Sequence, residues 1–348
     1  MEKEGEKSKY KPIVKFMTDK EFARRFPTEE AAVDEFLKIR YNGNIICTHC
    51  GQPVTYRFKD RLKAFYCLKC HNSFSPFKDT IFAKSHLGML QWYKVMKHFL
   101  NVRIGYSSLS VVREIGVTAT TGWRMLQQIR IAMSNIENPE LFQSIVEVDE
   151  TYVGGSPRKQ NALVEKDGTL IPRKYPKKNK RGRGIKKTPV VGVKERDTGR
   201  VYAKVMMPDE NGRKLTGKQL LEVLENVCKS GTIVITDDFR SYGILDKQDS
   251  QYQHESVNHS KGEYCNYKAK WIHTNSIENF WSIVKPGLKG NYRNRQTIKY
   301  LQRYINEFSF RQNTKYNKGA FDLLLRQCIL YNPNIAKETI IEVEKQAS

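Results

Sequence analysis

The stretch His273–Lys285, HTNSIENFWSIVK, holds the groups best suited to chemistry in this chain. At about 3.6 residues per turn it separates into two helical faces. Ile277, Phe280, Trp281 and Val284 form an apolar stripe at the spacing of a core-packing helix. Asn275, Glu278, Ser282 and Lys285 form a polar row beside it. With the stripe buried, the row would present an amide, a carboxylate and an ammonium in line. Two strand-like segments upstream end in acids: IVEVD alternates up to Asp149, and the apolar run GTIVITD stops at Asp237. Hard carboxylate oxygens at two strand ends, joined by a helical glutamate, suit a pair of Mg2+ ions. Such a site activates water or a 3′-hydroxyl and stabilises the leaving oxygen in phosphoryl transfer.

Further candidates surround this trio. His273, just ahead of the helix, could touch a scissile phosphate. Lys285 could contact phosphate as a point charge. Asn275 lies one turn from Glu278 on the same face. Asp238 directly follows Asp237. Gly154 and Gly155, shortly after Asp149, permit close approach of backbone or DNA.

A second chemistry sits near the start of the chain. Cys47 and Cys50, then Cys67 and Cys70, make two CxxC knuckles separated by 16 residues. Four thiolates at this spacing fill a tetrahedral zinc shell and leave no open position, so the role is structural. His49 and His71 are rival ligands.

These sites need elements to position them. At 348 residues the chain can hold two or three domains, and 39% hydrophobic content supports a packed core. A formal charge of +23 points to a polyanionic partner. No apolar run reaches the roughly 18 residues of a membrane span. The polar first residues lack the apolar region of a signal peptide. Cys228, Cys265 and Cys328 are scattered, as reduced thiols in a reducing compartment would be.

Residues 18–40 predict a helix capped at Thr18-Asp19. Short strands are expected between the cysteine knuckles, joined by a charged turn at 59–61. Residues 86–136 are helical in character. Within them, SSLSVVREIGVTATTGWRMLQQIR reads as helix, Gly116 turn and helix, the second capped by Thr118 or Thr120. If this is a helix-turn-helix, Arg113, Thr120, Trp123 and Arg124 would meet DNA. From Ile145 the pattern becomes strands at Ile145–Asp149, 188–194 and 201–206, a helix at 214–227, a strand at 231–237, and later helices near 275–285, 297–312 and 319–330. That order matches an RNase H-like fold. Residues 156–187 interrupt it with a basic, Gly/Pro-rich run too polar to fold alone. Lys177, Lys178, Lys180, Arg181 and Arg183 in that run would grip a DNA backbone beside Asp149. Arg240, Arg293 and Arg295 are further backbone-contact candidates.

The chain resembles the DDE-type transposases of bacterial insertion sequences related to the Merlin elements. The shared residues are the ribbon ending in Cys70-x3-Phe74-Ser75, Thr80-Ile-Phe, the Ile-Gly-Val-Thr turn, VDETYVGG around Asp149, TDxxRSY around Asp237, and HTNSIExxWxxxK from His273 to Lys285. They span roughly residues 20–330. The resemblance implies an α/β RNase H-like core of mixed sheet and flanking helices over 141–335, with the basic insertion at 156–187. It is preceded by an N-terminal helix and zinc ribbon (18–80) and a helix-turn-helix region (81–140). It implies that Asp149, Asp237 and Glu278 hold two Mg2+ or Mn2+ ions, with Asn275 the alternative where members of the group use Asn, and Zn2+ as a structural ion. The implied activity is binding of terminal inverted repeats, cleavage, and joining of 3′-hydroxyl ends to target DNA. The implied partners are double-stranded DNA and further copies of the chain in synapsis, in the bacterial cytoplasm at the nucleoid and not at a membrane. A domesticated DNA-binding regulator and an RNase H-like nuclease are the rival expectations.

Overall fold

The computed structural model describes residues 16–54, 56–58, 62–134, 141–154, 187–212, 215–237, 240–246, 250–257, 269–293 and 297–331. Packing divides the chain into two units, one from residues up to 140 together with those from 306 onward, the other from 141 to 305.

The first unit opens with α1 (Asp19–Arg25) and α2 (Glu29–Tyr41). The sequence predicted one helix here, but Pro27 disfavours helical backbone at Phe26, whose φ −125° and ψ 68° end α1. Thr28 then caps α2 through a bond from the Ala31 N–H at 3.2 Å. Thr18 and Glu21 close a capping box on α1, at the start the sequence marked. A three-stranded antiparallel ribbon follows, β1 (Tyr56–Arg57), β2 (Phe65–Tyr66) and β3 (Ser73–Phe74). Next come α3 (Met89–Asn101), α4 (Ser108–Ile115) and α5 (Ala119–Ala132). Gly116 ends α4 at φ 69°, a conformation glycine adopts without cost, and Thr118 caps α5 by accepting the Thr121 N–H at 3.2 Å. A Cβ at Gly122 would lie 3.0 Å from the Ser108 carbonyl oxygen, so its absence lets α4 and α5 cross closely.

The chain returns to this unit with the end of α8 (Ile298–Thr314) and with α9 (Ala320–Leu330). Packing groups residues from 306 onward with the first unit. Phe321, Leu324, Leu325 and Cys328 of α9 join Phe26, Phe36, Tyr93, Phe99, Leu126 and Ile129 in one core. Inside it, Arg130 donates to Glu307 Oε2 at 2.8 Å, while Arg311 donates to Glu307 Oε1 at 3.0 and 3.1 Å. Both guanidinium groups lie over the Phe99 ring.

The second unit holds β4 (Ile145–Val153), β5 (Thr188–Glu195), β6 (Val201–Val205), α6 (Gly217–Val227), β7 (Ile233–Asp237), a short 3-10 helix (Arg240–Ile244), β8 (Gln253–Val257) and α7 (Asn275–Lys289). The sheet order is β6-β5-β4-β7-β8, with β4, β5 and β6 antiparallel and β7 and β8 parallel to β4. An antiparallel meander extended by two parallel strands and flanked by helices is an RNase H-like architecture, as the element order led one to expect. The sequence predicts no element for β8: QHESV has no apolar alternation, and it joins as an edge strand through pairing with β7 and through Val257, which is buried with Ile235 and Ile272.

Alternation across the sheet separates structure from chemistry. Val146, Val148, Val191, Val193 and Val234 pack with Leu220, Val223 and Leu224 of α6. The opposite face carries Glu147, Asp149, Gly192 and Lys194, and there α7 packs on β4 and β5. No helix among the described residues is long and apolar enough to cross a membrane.

Candidate active site and zinc centre

β4 and β7 run parallel with Glu147 beside Ile235, and two further steps of that register bring Asp149 beside Asp237. Carboxylate oxygens of Asp149, Glu150 and Asp237 lie within 4.8 Å of one another. Burial pushes the Asp149 carboxyl up to about 7, and the charges of Glu150 and Asp237 push the same way. Lys285 and the Glu150 N–H, which donates to Asp149 Oδ1 at 2.8 Å, oppose the rise. Glu150 accepts a 3.3 Å bond from the hydroxyl of buried Tyr242. Three hard oxygen donors that repel one another make a donor set matched to a divalent cation.

The amphipathic helix forms as its spacing predicted. Ile277, Phe280, Trp281 and Val284 are buried, and Asn275, Glu278, Ser282 and Lys285 are exposed. It runs past Pro286 to Lys289, one turn further than a proline stop would allow. Glu278 is not among the three grouped acids; its Oε1 accepts the Thr274 hydroxyl at 3.0 Å. Asn275 opens the helix. The charge of Lys285, in this row, reaches Asp149.

The helix is seated by residues that the spacing rules did not single out. Gly192 pairs with Asp149 across the sheet, and a Cβ there would lie 2.6 Å from Trp281 Cζ2 and 2.9 Å from Ile277 Cδ1. Glu147 is fully buried, and its Oε2 accepts the N–H groups of Ser276 at 2.7 Å and Ile277 at 2.9 Å. Its Oε1 accepts Arg196 Nε at 2.6 Å. His273 Nδ1 stands 3.4 Å from Glu147 Oε1 and 3.0 Å from Arg196 Nη2, so this histidine belongs to a network behind the helix start. Lys194 donates to the Ser276 carbonyl at 2.7 Å. The available signal was an acid placed two residues before Asp149 in a strand of valines, hence on the same face.

The four cysteines converge. Cys47 and Cys70 sulfurs are 3.7 Å apart and Cys50 and Cys67 sulfurs 3.6 Å, all four within 4.8 Å of one another. With Zn–S near 2.3 Å, a tetrahedron has edges of about 3.8 Å, so the quartet fits zinc. Each knuckle closes alike: Gly51 N–H bonds the Cys47 carbonyl at 3.0 Å and His71 N–H the Cys67 carbonyl at 2.9 Å. The His71 ring faces the Tyr66 hydroxyl at 3.1 Å, outside the sulfur group.

Residues 142–313 match the ISXO2-like transposase domain, and residues 27–73 match a transposase zinc-ribbon domain. Over 105 residues the chain is 31% identical to an uncharacterized transposase-like protein of Haemophilus influenzae, an alignment covering 30% of this chain and 79% of that protein. The chain belongs to the ISXO2-like transposase family. Among solved structures, the transposase is similar to a chain of the pre-cleavage Mos1 transpososome at 13% identity and TM-score 0.27, covering 68% of this chain and 78% of that one. It is similar to a chain of the simian T-cell lymphotropic virus intasome in complex with PP2A regulatory subunit B56 gamma at 12% identity and TM-score 0.26, covering 60% of this chain and 64% of that one. The transposase thus spans less than two thirds of that intasome chain.

Of the DNA-contact candidates, Arg113, Thr120 and Arg124 are exposed and Trp123 is partly so, the last three on the first turns of α5. Arg240 opens the 3-10 helix, and Arg293 is exposed. Lys177, Lys178, Lys180, Arg181 and Arg183, with Asp238, Cys265 and Arg295, lie outside the described residues.

Proposed function

We propose that this transposase binds the ends of its element, cuts them by metal-dependent hydrolysis and joins the new 3′-hydroxyls to target DNA. The single observation behind the chemistry is the meeting of Asp149 and Asp237 on adjacent parallel strands, below a helix with an exposed polar row. Asp149 and Asp237 would hold Mg2+ or Mn2+, two ions in all, with Glu278 as third ligand and Asn275 as the alternative. Glu150 stands beside the pair as a further acid. The bound ions would polarise the attacking oxygen and neutralise the leaving one. Lys285 would contact the phosphate near Asp149.

The excess of 60 Lys and Arg over 37 Asp and Glu favours the DNA backbone as partner. The exposed start of α5 suits a major groove, with Thr120, Trp123 and Arg124 foremost, and the zinc ribbon would share in end recognition. Joining two ends calls for more than one copy in synapsis. The substrate would place the transposase at the bacterial nucleoid.

The test incubates purified protein with the DNA flanking its gene, Mg2+ and a supercoiled target. Wild type is compared with Asp149→Ala, Asp237→Ala, Glu278→Gln, Asn275→Ala and Glu150→Gln. End-specific cleavage and joining, abolished in the two aspartate variants, is the expected result. The variant among the remaining three that also loses it identifies the third ligand. Binding without chemistry in every protein would overturn the proposal and leave a DNA-binding regulator; cleavage without joining would leave a nuclease. Arg124→Ala should weaken end binding and lower its salt dependence by about one counterion.

A further inference from the structure

Helix α7 lacks a cap of its own. Its first turn leaves N–H groups without helical acceptors, and the residue at the cap position, Thr274, offers them no side-chain bond. The Thr274 hydroxyl is turned to Glu278 instead. Two of those N–H groups, on Ser276 and Ile277, are taken by Glu147 Oε2 from the neighbouring strand. A buried carboxylate at a helix start also meets the positive end of the helix dipole.

Glu147 stands two residues before Asp149 on the same face of β4, about 7 Å along the strand. Its carboxylate is held in turn by the Arg196 guanidinium, which bonds the carbonyls of Trp271 and His273 and faces the His273 ring. Lys194, the cross-strand partner of Glu147, fixes the Ser276 carbonyl. The start of α7 is thus tied at both backbone polarities to the strands that carry Asp149 and Gly192.

We infer that Glu147 is a positioning residue: through the first turn of α7 it sets the row Asn275–Glu278–Lys285 relative to Asp149 and Asp237, and Arg196 and His273 serve as its counter-charge. This inference rests on the metal-dependent reading above. Glu147 touches neither ion nor DNA; it determines whether the helical ligand and the strand ligands reach the same cation. Groups that orient metal ligands change affinity or activity by about 10- to 100-fold when removed.

The test compares full-length Glu147→Gln, Glu147→Asp and Glu147→Ala with wild type and Asp149→Asn. Three quantities are measured: Mn2+ binding by calorimetry without DNA, the Mn2+ concentration for half-maximal cleavage, and end binding without metal. We expect the Asp and Gln variants to bind ends within about twofold of wild type. Their Mn2+ affinity should fall by about tenfold or more, with a matching rise in the metal needed for cleavage. Glu147→Asp keeps the charge and withdraws the carboxylate by one methylene, so it keeps the test valid should Glu147→Ala fail to fold. A merely structural glutamate would lower thermal stability while leaving the Mn2+ affinity of the folded variants unchanged, and that outcome overturns the inference. If Asp149→Asn binds Mn2+ as wild type does, the metal-dependent reading itself fails.

Discussion

Asp149 and Gly192 face each other across β4 and β5, and the space a side chain at 192 would fill is taken by the Trp281 indole. The glycine lets α7 lie close to the strand that presents the acid. Gly192→Ala forces a Cβ to within 2.6 Å of a ring wedged in the core. We expect a loss of about 1–3 kcal/mol in denaturant unfolding, the ordinary cost of overpacking. Cleavage should fall further than the unfolded fraction accounts for, because α7 is displaced.

The acid cluster gives the metal-free protein a pH dependence of definite sign. Asp149 holds its proton up to about 7 in the fold, against an ordinary Asp value of about 3.9. The folded chain therefore binds more protons than the unfolded one between these values, and stability falls as pH rises through that window. Thermal unfolding in chelator at a series of pH values should show the decline, and Asp149→Asn should flatten it. Added Mn2+ should raise the melting temperature more at pH 8 than at pH 5. A decline unaltered in Asp149→Asn would assign it to other groups.

The zinc ribbon shares the core of the first unit: buried Cys47 and Cys67 pack with Phe65, Phe74 and Phe77. Withdrawal of the metal should therefore unsettle more than the knuckles. Elemental analysis should find one zinc per chain, lost in Cys67→Ser. Chelation should lower the melting temperature of the first unit and abolish end binding. Retained stability without zinc would mean the four thiols suffice alone.

Glu307 sits fully buried between Arg130 and Arg311. Glu307→Ala removes the buried counter-charge of both guanidinium groups and should cost about 3–5 kcal/mol in chemical denaturation, whereas replacing Glu307 with Leu and both Arg130 and Arg311 with Met together should cost much less. Because Arg130 belongs to α5, the single variant should also weaken end binding.

The parts legible in the sequence were those governed by periodicity or by fixed spacing. The stripe Ile277–Val284, the strand end at Asp237, the CxxC quartet and the Gly116 turn each follow from a local rule, whereas Asp149, expected at a strand end, lies midway along β4 because pairing with β5 carries that strand on to Val153. The parts that escaped were set by tertiary partners. Glu147 looks like a polar interruption in a valine strand until Ser276 and Ile277 supply their N–H groups. His273 stands beside Arg196 and Glu147, neighbours that its place just ahead of the helix does not reveal in the sequence. β8 lacks an apolar alternation because it gains its place from pairing with β7 and from the single buried residue Val257. The break at Pro27 was visible as a residue, but the surrounding apolar spacing outweighed it.

The core that supports α5 takes Phe321, Leu324, Leu325 and Cys328 from α9, nearly 190 residues downstream of Ala132. Domains fold as units during synthesis, in the order in which their residues leave the ribosome. The first unit leaves it in two instalments, with the whole of residues 141–305 between them. A nascent chain that already carries both knuckles and α4–α5 still lacks one wall of their interior. Translation must pass residue 330 before that interior closes, so a prematurely terminated product holding every residue of α4 and α5 would remain without the packing that makes them stand.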